Sequence, residues 1–430
     1  MVDHIPLQEL IEFTRDGEWG NGEPADDLVK MAVIRGTDFA SVRGGDVSSV
    51  PIRYIPKKAA DRKALRPGDL VIETAGGTKD QPTGRTLYLP ERVFDALGVP
   101  VTCASFSRFL RVRPAVVDPR YLFWYLQSIY AAGQMLPYHI QHTGVARFQY
   151  TDFASQWRIP VPAMDHQLEV AEVLCSFDEK IELNRRMNET LEAMAQAIFR
   201  DWFVDFGPTR RKTEGATDPV EIIGGLVTDP GQARQLADLF PASFGGTGMP
   251  EDWRPGRLED VLELAYGKSL TRTDRRDGPY PVYGSGGIGG WHDAALVRGP
   301  SVIVGRKGTV GSLYWEDRDF YPIDTVFYVK SLLPMTFCYY LLQTLGLEGM
   351  NTDAAVPGLN RSNAYRLDIT IAEPAIIRAF HAHAGLWRQK IATNVTENET
   401  LAATRDLLLP KLMSGAIRLR KAERQLEAAQ

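Results

Sequence analysis

The sequence is poor in cysteine, and its three cysteines, Cys103, Cys175 and Cys338, lie far apart without any C-x-x-C pair. This scarcity argues against a disulfide framework and a zinc site, and it fits a reducing compartment. The first residues lack the basic head and apolar core of a secretory signal. The most apolar runs are too short or too polar to span a bilayer. We therefore expect a cytoplasmic protein with no membrane contact and no bound metal.

Catalytic motifs are also missing. The chain has no N-P-P-Y-like or D-P-P-Y-like segment of the kind that forms an amino-methyltransferase pocket. The triplet Gly267-Lys268-Ser269 resembles the end of a P-loop, but Leu262 stands where the first glycine belongs. We therefore expect that this chain catalyses no reaction by itself.

One glycine-rich run does fit a nucleotide-binding pattern. Gly284, Gly286 and Gly289 follow the spacing G-x-G-x-x-G. No helical period follows before Arg298-Gly299-Pro300, so no helix N-terminus is available to hold a pyrophosphate. We interpret residues 284–290 as a turn between short strands, and a nucleotide-dependent enzyme that uses this loop is one alternative function.

The charge is low overall but unevenly distributed. The net charge of the chain is −5. Residues 31–160 contain 17 Lys and Arg against 10 Asp and Glu, a net of +7, whereas residues 1–30 carry −6 and residues 161–250 carry −7. A basic block between acidic ones is typical of a polyanion-binding face, and scattered solvated side chains are the alternative interpretation.

A segment of the chain is repeated at an offset of 210 residues. Residues 180–199, KIELNRRMNETLEAMAQAIF, align without gaps with residues 390–409, KIATNVTENETLAATRDLLL. The shared N-E-T-L tetrapeptide is in register with four further identities. Such self-similarity indicates that one structural unit occurs twice.

Both copies have the three-and-four spacing of a coiled-coil seam. The seam positions are Ile181, Asn184, Asn188, Leu191, Ala195, Ile198 and Trp202 in the first copy, and Ile391, Asn394, Asn398, Leu401, Arg405, Leu408 and Leu412 in the second. Asparagine at a seam fixes register at a cost in stability, so we predict that the two helices pack on each other. The alternative is that each helix covers only its own domain. We expect Arg405 to weaken the second seam and Pro410 to end that helix after Leu409.

The segments before the two helices also match in plan. Each has an apolar strand introduced by glycine, GDLVIE or GPSVIVG, then a glycine-rich loop, further strands and an aromatic helix, YLFWYLQ or TFCYYLLQ. The fold class that we predict is α+β, with two mixed α/β domains separated by two long antiparallel coiled-coil helices and a pseudo-two-fold internal repeat. A helix of roughly 26 residues is about 39 Å long. That length is close to the roughly 34–36 Å that separates DNA half-sites one helical turn apart.

With these features the chain resembles the specificity subunits of type I restriction–modification systems. The resemblance covers essentially the whole chain and is carried by the N-E-T-L helices, by the module ends QHTGVARFQYTDFASQWRIPVPAMDHQ and AAVPGLNRSNAYRLDI, and by WFVDFGP after the first helix. It implies target-recognition domains at residues 1–162 and 251–372, spacer helices at 163–208 and 373–430, and a linker at 209–250. The second copy departs from the first at Ile377, which stands where the first has Gln167.

The resemblance also implies what the chain binds. It implies a non-catalytic, sequence-specific DNA-binding subunit for phage defence that reads a bipartite double-stranded DNA target. Two modification (methyltransferase) subunits are expected to dock on the helices, and restriction (motor-nuclease) subunits to join them. This chain is expected to bind no cofactor, because S-adenosylmethionine, ATP and magnesium belong to the partner subunits. A coiled-coil protein-interaction adaptor is the remaining alternative.

The residue types that contact phosphates and base edges suggest candidate DNA contacts in the glycine-rich loops and module ends. These candidates are Thr78, Lys79, Arg85, His142 and Arg147 in the first module, and Lys268, Arg272, Arg306, Lys307 and Thr309 in the second. For each of them the alternative is a solvated surface side chain. The candidate helix-pairing residues are Ile181, Asn184, Asn188, Leu191, Ile198, Ile391, Asn394, Asn398, Leu401 and Leu408.

Overall fold

The computed structural model describes residues 2–78, 81–141, 145–246, 248–351 and 358–417. The chain divides into two compact units. Unit 1 comprises Met1–Arg185 and Val395–Gln430, and unit 2 comprises Arg186–Asn394. Each unit therefore contains one mixed module and a segment of each of the two long helices.

The module of unit 1 contains strands and helices in alternation. Its strands are β1 (Asp3–Pro6), β2 (Ile11–Asp16), β3 (Leu28–Ile34), β4 (Ile52–Pro56), β5 (Leu70–Glu73), β6 (Thr86–Tyr88), β7 (Val101–Cys103), β8 (Ser107–Val112), β9 (His139–Gln141), β10 (Ala146–Phe148) and β11 (Arg158–Val161). Its helices are α1 (Leu7–Leu10), α2 (Phe39–Arg43), α3 (Lys57–Lys63), α4 (Glu91–Leu97), α5 (Pro119–Ala131) and α6 (Tyr150–Gln156), and the long helix α7 (Met164–Phe203) follows.

Unit 2 repeats this plan with fewer helices. Its strands are β12 (Arg254–Arg257), β13 (Glu263–Tyr266), β14 (Tyr280–Gly284), β15 (Gly287–His292), β16 (Ser301–Gly305), β17 (Leu313–Glu316), β18 (Tyr321–Pro322), β19 (Val326–Lys330) and β20 (Asp368–Ile371). Its helices are α8 (Gly207–Thr213), α9 (Pro219–Ile222), α10 (Pro230–Ala237), α11 (Met335–Thr344), α12 (Arg361–Tyr365) and the long helix α13 (Pro374–Met413).

The two modules share a sheet topology. A four-stranded antiparallel sheet has the order β2-β8-β5-β6 in unit 1 and β13-β19-β16-β17 in unit 2. A three-stranded sheet accompanies it, β4-β3-β7 or β15-β14-β18, and a two-stranded pair, β1-β11 or β12-β20, leads into the long helix. The predicted apolar strands are confirmed as β5 and β16, each buried at every position. Residues on both faces of these strands pack in the core, which is why both read as continuous apolar runs.

The aromatic helices α5 and α11 pack against the four-stranded sheets, which confirms the predicted helices. In α5 the side chain of Asp118 accepts hydrogen bonds from the backbone N–H groups of Arg120 and Tyr121, and Pro119 occupies the first turn. This is a favourable N-terminus for a helix. The helix then buries Tyr121, Leu122, Phe123, Trp124, Leu126 and Ile129 in the core of unit 1.

The long helices run antiparallel within each unit. In unit 1 Asn184 of α7 contacts Asn398 of α13, and in unit 2 Asn188 contacts Asn394. Both helices contain 40 residues, rather than the roughly 26 that we predicted, and each is about 60 Å long at 1.5 Å per residue. The predicted α+β class, with two mixed units and two long antiparallel helices, is confirmed.

The predicted end of the second helix at Leu409 is wrong. Helix α13 continues to Met413 with Pro410 inside it. Leu409 and Leu412 are both buried in the core of unit 1, so their packing holds the last turn in place although proline removes one backbone hydrogen bond. The Pro410 carbonyl still accepts a hydrogen bond from the Ser414 N–H at 3.0 Å.

The substitution of Ile377 for Gln167 changes how a long helix begins. Gln167 is buried in unit 1, where it accepts a hydrogen bond from the Asp118 N–H and donates to the Val116 and Pro162 carbonyls. Ile377 is buried in the apolar core of unit 2. The same position is therefore held by three hydrogen bonds in one unit and by hydrophobic contact in the other.

Residues 209–250, which we interpreted as a linker, are folded in large part. Helices α9 and α10 bury Ile222, Ala233 and Leu236 in the core cluster that also contains the end of α7. Arg211 donates to both carboxylate oxygens of Asp201, at 3.0 and 2.7 Å, and to the carbonyl of Ile222. The aromatic WFVDFGP stretch explains this packing, since Trp202 contacts Phe240 with ring centroids 5.0 Å apart. Among the described residues, no helix is both long and apolar enough to cross a membrane.

Candidate nucleic-acid interface

Each unit has a cleft at the same place in its fold. In each unit, the loop after an inner strand of the four-stranded sheet forms an isolated β-bridge to the segment just before a short helix. In unit 1 the loop follows β5 and the bridge joins Ala75 to Arg147, before α6. In unit 2 the loop follows β16 and the bridge joins Lys307 to Gly358, before α12. The cleft is lined by side chains from this loop, from the edge strand β2 or β13 and from the start of the short helix. The two clefts are topologically equivalent.

The cleft in unit 2 is basic. It has a volume of about 310 Å³ and is lined by Tyr266, Arg306, Lys307, Gly358, Leu359, Asn360, Arg361 and Ser362. The guanidinium of Arg361 lies 4.7 Å from the ring centroid of Tyr266, and that of Arg306 lies 5.0 Å from it. Among the described residues, three cations and no carboxylate line this cleft, so a phosphate in it would meet an attractive field.

The charges in this cleft are held in different ways. Arg306 donates from Nη1 to the carbonyl of Asp324 at 2.8 Å, which fixes the guanidinium over the Tyr266 ring. Lys307 is exposed, and no ion pair to it occurs among the described residues. Gly308, with φ of +87°, allows the tight turn that presents Lys307 and Thr309. Arg306 is thus preorganised, while Lys307 is free to reach a ligand.

The cleft in unit 1 is larger and has mixed charge. Its volume is about 480 Å³, and its lining includes Arg108, Arg147, Asp16 and Asp152. Arg108 forms a 2.8 Å ion pair with Asp16 and lies 4.8 Å from the ring centroid of Tyr150. Arg147 is exposed on β10, with no ion pair among the described residues. The described lining thus contains two cations and two carboxylates, which offset each other.

The predicted site residues of unit 1 have separate surroundings. Thr78 is exposed, and its Oγ1 accepts a hydrogen bond from the Gln81 N–H at 3.0 Å. Arg85 is half-buried and donates to both oxygens of the buried Glu73, at 2.9 and 2.6 Å. The hydrogen bonds to this carboxylate raise the pKa of Arg85, and its Nη1 donates to Gln81 at 3.4 Å. Lys79 and His142 lie outside the described residues. Of the three candidates that the structure describes in unit 1, Arg147 lines the cleft and Thr78 and Arg85 do not.

In unit 2 the cleft brings together Arg306 and Lys307. Thr309 is exposed in the same loop, and its carbonyl accepts a hydrogen bond from the Ser312 hydroxyl. Lys268 is exposed after β13, and its N–H donates to the Pro322 carbonyl. Arg272 is exposed in a short 3₁₀ helix, Arg272–Asp274. These three residues, Thr309, Lys268 and Arg272, do not line the cleft.

The glycine run at 284–290 is a β-hairpin. Strands β14 and β15 pair antiparallel, with Gly284 opposite Gly287, and Ser285 and Gly286 form the turn. Gly287 has φ of +96°, a conformation that glycine adopts readily. The strand β15 follows directly where a dinucleotide fold requires a helix, so the predicted turn between short strands is what the run forms.

Among the candidate helix-pairing residues, the asparagines lie at the middle of each long helix and the apolar residues lie on either side of them. Asn184 and Asn394 are fully buried; Asn184 donates to Asn398 at 2.9 Å and Asn394 donates to Asn188 at 2.8 Å. Ile181 is buried, and the partly buried side chains are Leu191, Ile198, Ile391, Leu401 and Leu408. Ile198 packs on the core of unit 2 and Leu408 on that of unit 1, so these two side chains also serve the modules.

The basic block at residues 31–160 is less available than its count suggests. At least eight of its cations form ion pairs. Four of the carboxylates, Asp16, Glu18, Asp178 and Glu182, come from outside the block. These four carboxylates offset four of the seven excess positive charges of the block.

Sequence reasoning missed four residues that shape the clefts: Arg108 and Tyr150 in unit 1, and Tyr266 and Arg361 in unit 2. A signal for two of them was present. The two module ends align at an offset of 211, which places Tyr150 opposite Arg361 at the start of α6 and α12. Among the described residues, no group of three or more His, Cys, Asp or Glu side chains is arranged to hold a metal ion.

Comparison with known proteins identifies the relatives of this chain. Residues 250–366 match the model of the type I restriction modification DNA specificity domain. The HindI type I restriction enzyme specificity subunit of Haemophilus influenzae is 24% identical over 432 residues, covering 85% of this chain and 90% of that protein. The MjaIX specificity subunit of Methanocaldococcus jannaschii is 25% identical over 61% of each chain.

A solved structure supports the fold. The S subunit of a type I restriction–modification system from M. genitalium superposes with a TM-score of 0.55 at 15% identity and covers 96% of both chains. The domain match and the near full-length relative agree with the two-module plan and the paired long helices described above. Over most of its length the chain is therefore similar to specificity subunits of type I restriction–modification systems, and residues 250–366 match their DNA specificity domain.

Proposed function

We propose that this chain is the sequence-specific DNA-binding subunit of a type I restriction–modification complex, and that its two clefts each face one half of a bipartite target. The observation that carries this proposal is the pair of topologically equivalent clefts. They lie in modules of unlike sequence, so they suit two different half-sites. The relatives that are named specificity subunits support the same role.

The two clefts contribute differently to binding. In unit 2 the described lining contains three positive charges and no carboxylate, which suits contacts to phosphates; the charges are those of Arg306, Lys307 and Arg361. In unit 1, Asp16 and Asp152 offset Arg108 and Arg147, which suits hydrogen bonding to base edges, because carboxylates accept from cytosine and arginines donate to guanine. Unit 2 therefore supplies more of the salt-dependent affinity.

The complex supplies what this chain does not. Two modification subunits dock on the long helices, and restriction subunits join them for cleavage. S-adenosylmethionine, ATP and magnesium bind to those subunits, and the assembly works in the cytoplasm, where the DNA of an invading phage arrives. The hairpin at 284–290 does not support the alternative of a nucleotide-dependent enzyme.

The experiment is a binding titration of the full chain with its modification subunit on duplex DNA that contains its target, at several salt concentrations. We expect the variant Lys307→Ala/Arg361→Ala to weaken binding by at least tenfold and to reduce the slope of log K against log salt by one to two units, roughly 0.9 per phosphate contact. The control is Lys330→Ala, an exposed lysine in an ion pair with Glu263 at the end of β19 away from the cleft. An unchanged slope in the double variant would contradict the assignment of this cleft.

A further inference from the structure

The two long helices carry complementary charges where they meet. In unit 1, Asp178 of α7 forms an ion pair with Arg405 of α13. In unit 2, Glu192 of α7 forms an ion pair with Arg388 of α13 at 2.8 Å. In both pairs α7 contributes the acid and α13 the base, so each pair is satisfied only when the two different helices face each other.

Both ion pairs are largely shielded from water. The side chains of Asp178 and Arg405 are each 15% exposed, and those of Glu192 and Arg388 are 23% and 11% exposed. Burial makes a charge costly to leave unpaired, and it weakens the screening that would hide a like-charge contact. These four residues are therefore better placed to select a partner than charges on the open surface.

Each pair is also fixed by its module. Asp178 receives a second hydrogen bond from Arg43 at 2.7 Å, and Arg43 lies 4.8 Å from the ring centroid of Trp124. Glu192 receives hydrogen bonds from the Tyr340 hydroxyl at 3.0 Å and from Gln343. The guanidinium of Arg388 lies 4.7 Å from the ring centroid of Trp315. The charges cannot simply turn away from an unfavourable neighbour, because the modules hold them.

The internal repeat shows what would happen if a helix met its own copy. At the offset of 210, Asn184 is equivalent to Asn394 and Asn188 to Asn398, so exchanging the helices turns one asparagine pair into the other. The asparagines therefore do not distinguish α7 from α13. The charged positions behave differently.

Asp178 is equivalent to Arg388 at that offset, and Arg405 is equivalent to Ala195. In the same antiparallel register, α7 against a second α7 would place Glu192 opposite Asp178 at two symmetric positions. Helix α13 against a second α13 would place Arg388 opposite Arg405 twice. Both self-pairings bring buried like charges together, which is unfavourable.

We propose that Asp178, Glu192, Arg388 and Arg405 make the helix pairing heterotypic, so that α7 accepts α13 and rejects a second copy of itself. The partner that this surface fits is the complementary half of the same protein chain, and the partner that it excludes is an identical half. Lys180 and Glu397 form another ion pair between the helices, but at 3.6 Å and about 40% exposure it contributes little. The pairing therefore brings together two unlike modules rather than two like ones.

The test uses two full-length variants with different affinity tags. The first, Arg388→Glu/Arg405→Glu, makes α13 acidic; the second, Asp178→Lys/Glu192→Lys, makes α7 basic. Each variant alone has two helices of like charge, but α7 of the first matches α13 of the second, and the reverse. When the two variants are co-expressed, we expect purification through both tags in turn to yield a one-to-one dimer. The amount of this dimer should be at least tenfold greater than the amount of homodimer formed by either variant alone or by the unmodified chain.

If the two double variants do not accumulate as folded protein in cells, a second measurement tests the same proposal. In a single chain we compare the urea midpoints of Glu192→Lys, Arg388→Glu and their combination, with Lys180→Glu/Glu397→Lys as the exposed control. We expect the combination to recover at least half of the summed loss. The proposal is overturned if each tagged variant dimerises with its own copy as readily as with the other variant. It is also overturned if the losses of stability from Glu192→Lys and Arg388→Glu simply add in the combined variant. Neither result depends on DNA binding, so the proposed function is tested separately.

Discussion

Asn184 and Asn398, one on each long helix, are joined by a side-chain hydrogen bond of 2.9 Å in unit 1. Asn184 is fully buried and also donates to Glu397 at 2.9 Å. At the equivalent place in unit 2, Asn394 donates to Asn188. Both hydrogen bonds form in only one register of α7 against α13, so the asparagines align the helices at a cost in stability.

We predict that Asn184→Ala lowers the free energy of unfolding of the full chain by about 1–3 kcal/mol, because it removes a fully buried amide whose hydrogen bonds join α7 to Asn398 and Glu397 of α13. Asn394→Ala is expected to have an effect of the same size. Urea unfolding followed by circular dichroism measures both. The matched control is Glu189→Ala, an exposed position on the same helix, where a change within about 0.5 kcal/mol is expected. Equal effects of the control and Asn184→Ala would contradict this role.

Arg85 is expected to act in folding rather than in DNA binding. Its guanidinium binds both oxygens of Glu73, whose side chain is 5% exposed. Arg85→Ala leaves that carboxylate buried without its partner, which costs about 3–5 kcal/mol. Thermal unfolding should therefore show a large loss for Arg85→Ala and little change for the exposed Arg147→Ala. The reverse order, with Arg147→Ala the more destabilising, would show that the two arginines are misassigned.

The cysteines should react slowly in the folded protein. Burial raises the pKa of Cys103 to about 12 and that of Cys338 to about 11, and it also raises the pKa of the half-buried Cys175. Since the thiolate is the reactive form, a thiol reagent at pH 8 should label none of the three rapidly before urea is added. All three should react after unfolding. Rapid labelling of Cys103 in the native protein would mean that its surroundings are open to solvent.

His383 gives unit 2 a dependence on pH. Burial lowers the pKa of His383 below its ordinary value of 6.5. The unfolded chain therefore binds the proton more readily than the folded one, so this residue's contribution is fully present above about pH 6.5 and is lost as the pH falls below it. We expect His383→Gln to reduce the loss of stability between pH 7.5 and 5.5. An identical pH profile for the variant would remove His383 as a source of this effect.

The overall arrangement of helices and strands was predictable because it follows from an internal repeat and from the spacing of apolar residues. The N-E-T-L segments revealed α7 and α13, and the apolar runs revealed β5, β16, α5 and α11. Helix length was underestimated because residues 164–179 and 374–389 belong to the same two helices but pack on the modules, so their apolar positions follow the module surface rather than a seam. The end of α13 was predicted wrongly because the burial of Leu412 stabilises the last helical turn more than Pro410 destabilises it.

The candidate site was less predictable. Lys307 and Arg306 were found because they stand beside glycines, but Arg85 was indistinguishable in sequence from a free cation. Only the fold shows that Glu73, twelve residues earlier, occupies its donors. Arg361 and Tyr266 lie 95 residues apart in the chain and meet only because β13 and α12 border the same cleft. Long-range contacts of this kind leave no local pattern.

The most direct test is a map of the methylated sites in DNA from cells that express this chain with its modification subunit. If two unlike modules read the target, the modified sites share two short, different half-sequences separated by a gap of constant length. In the variant Lys307→Ala/Arg361→Ala, methylation of those sites should fall steeply while Lys330→Ala leaves it unchanged. A contiguous motif, or methylation with no common sequence, would contradict a bipartite reader.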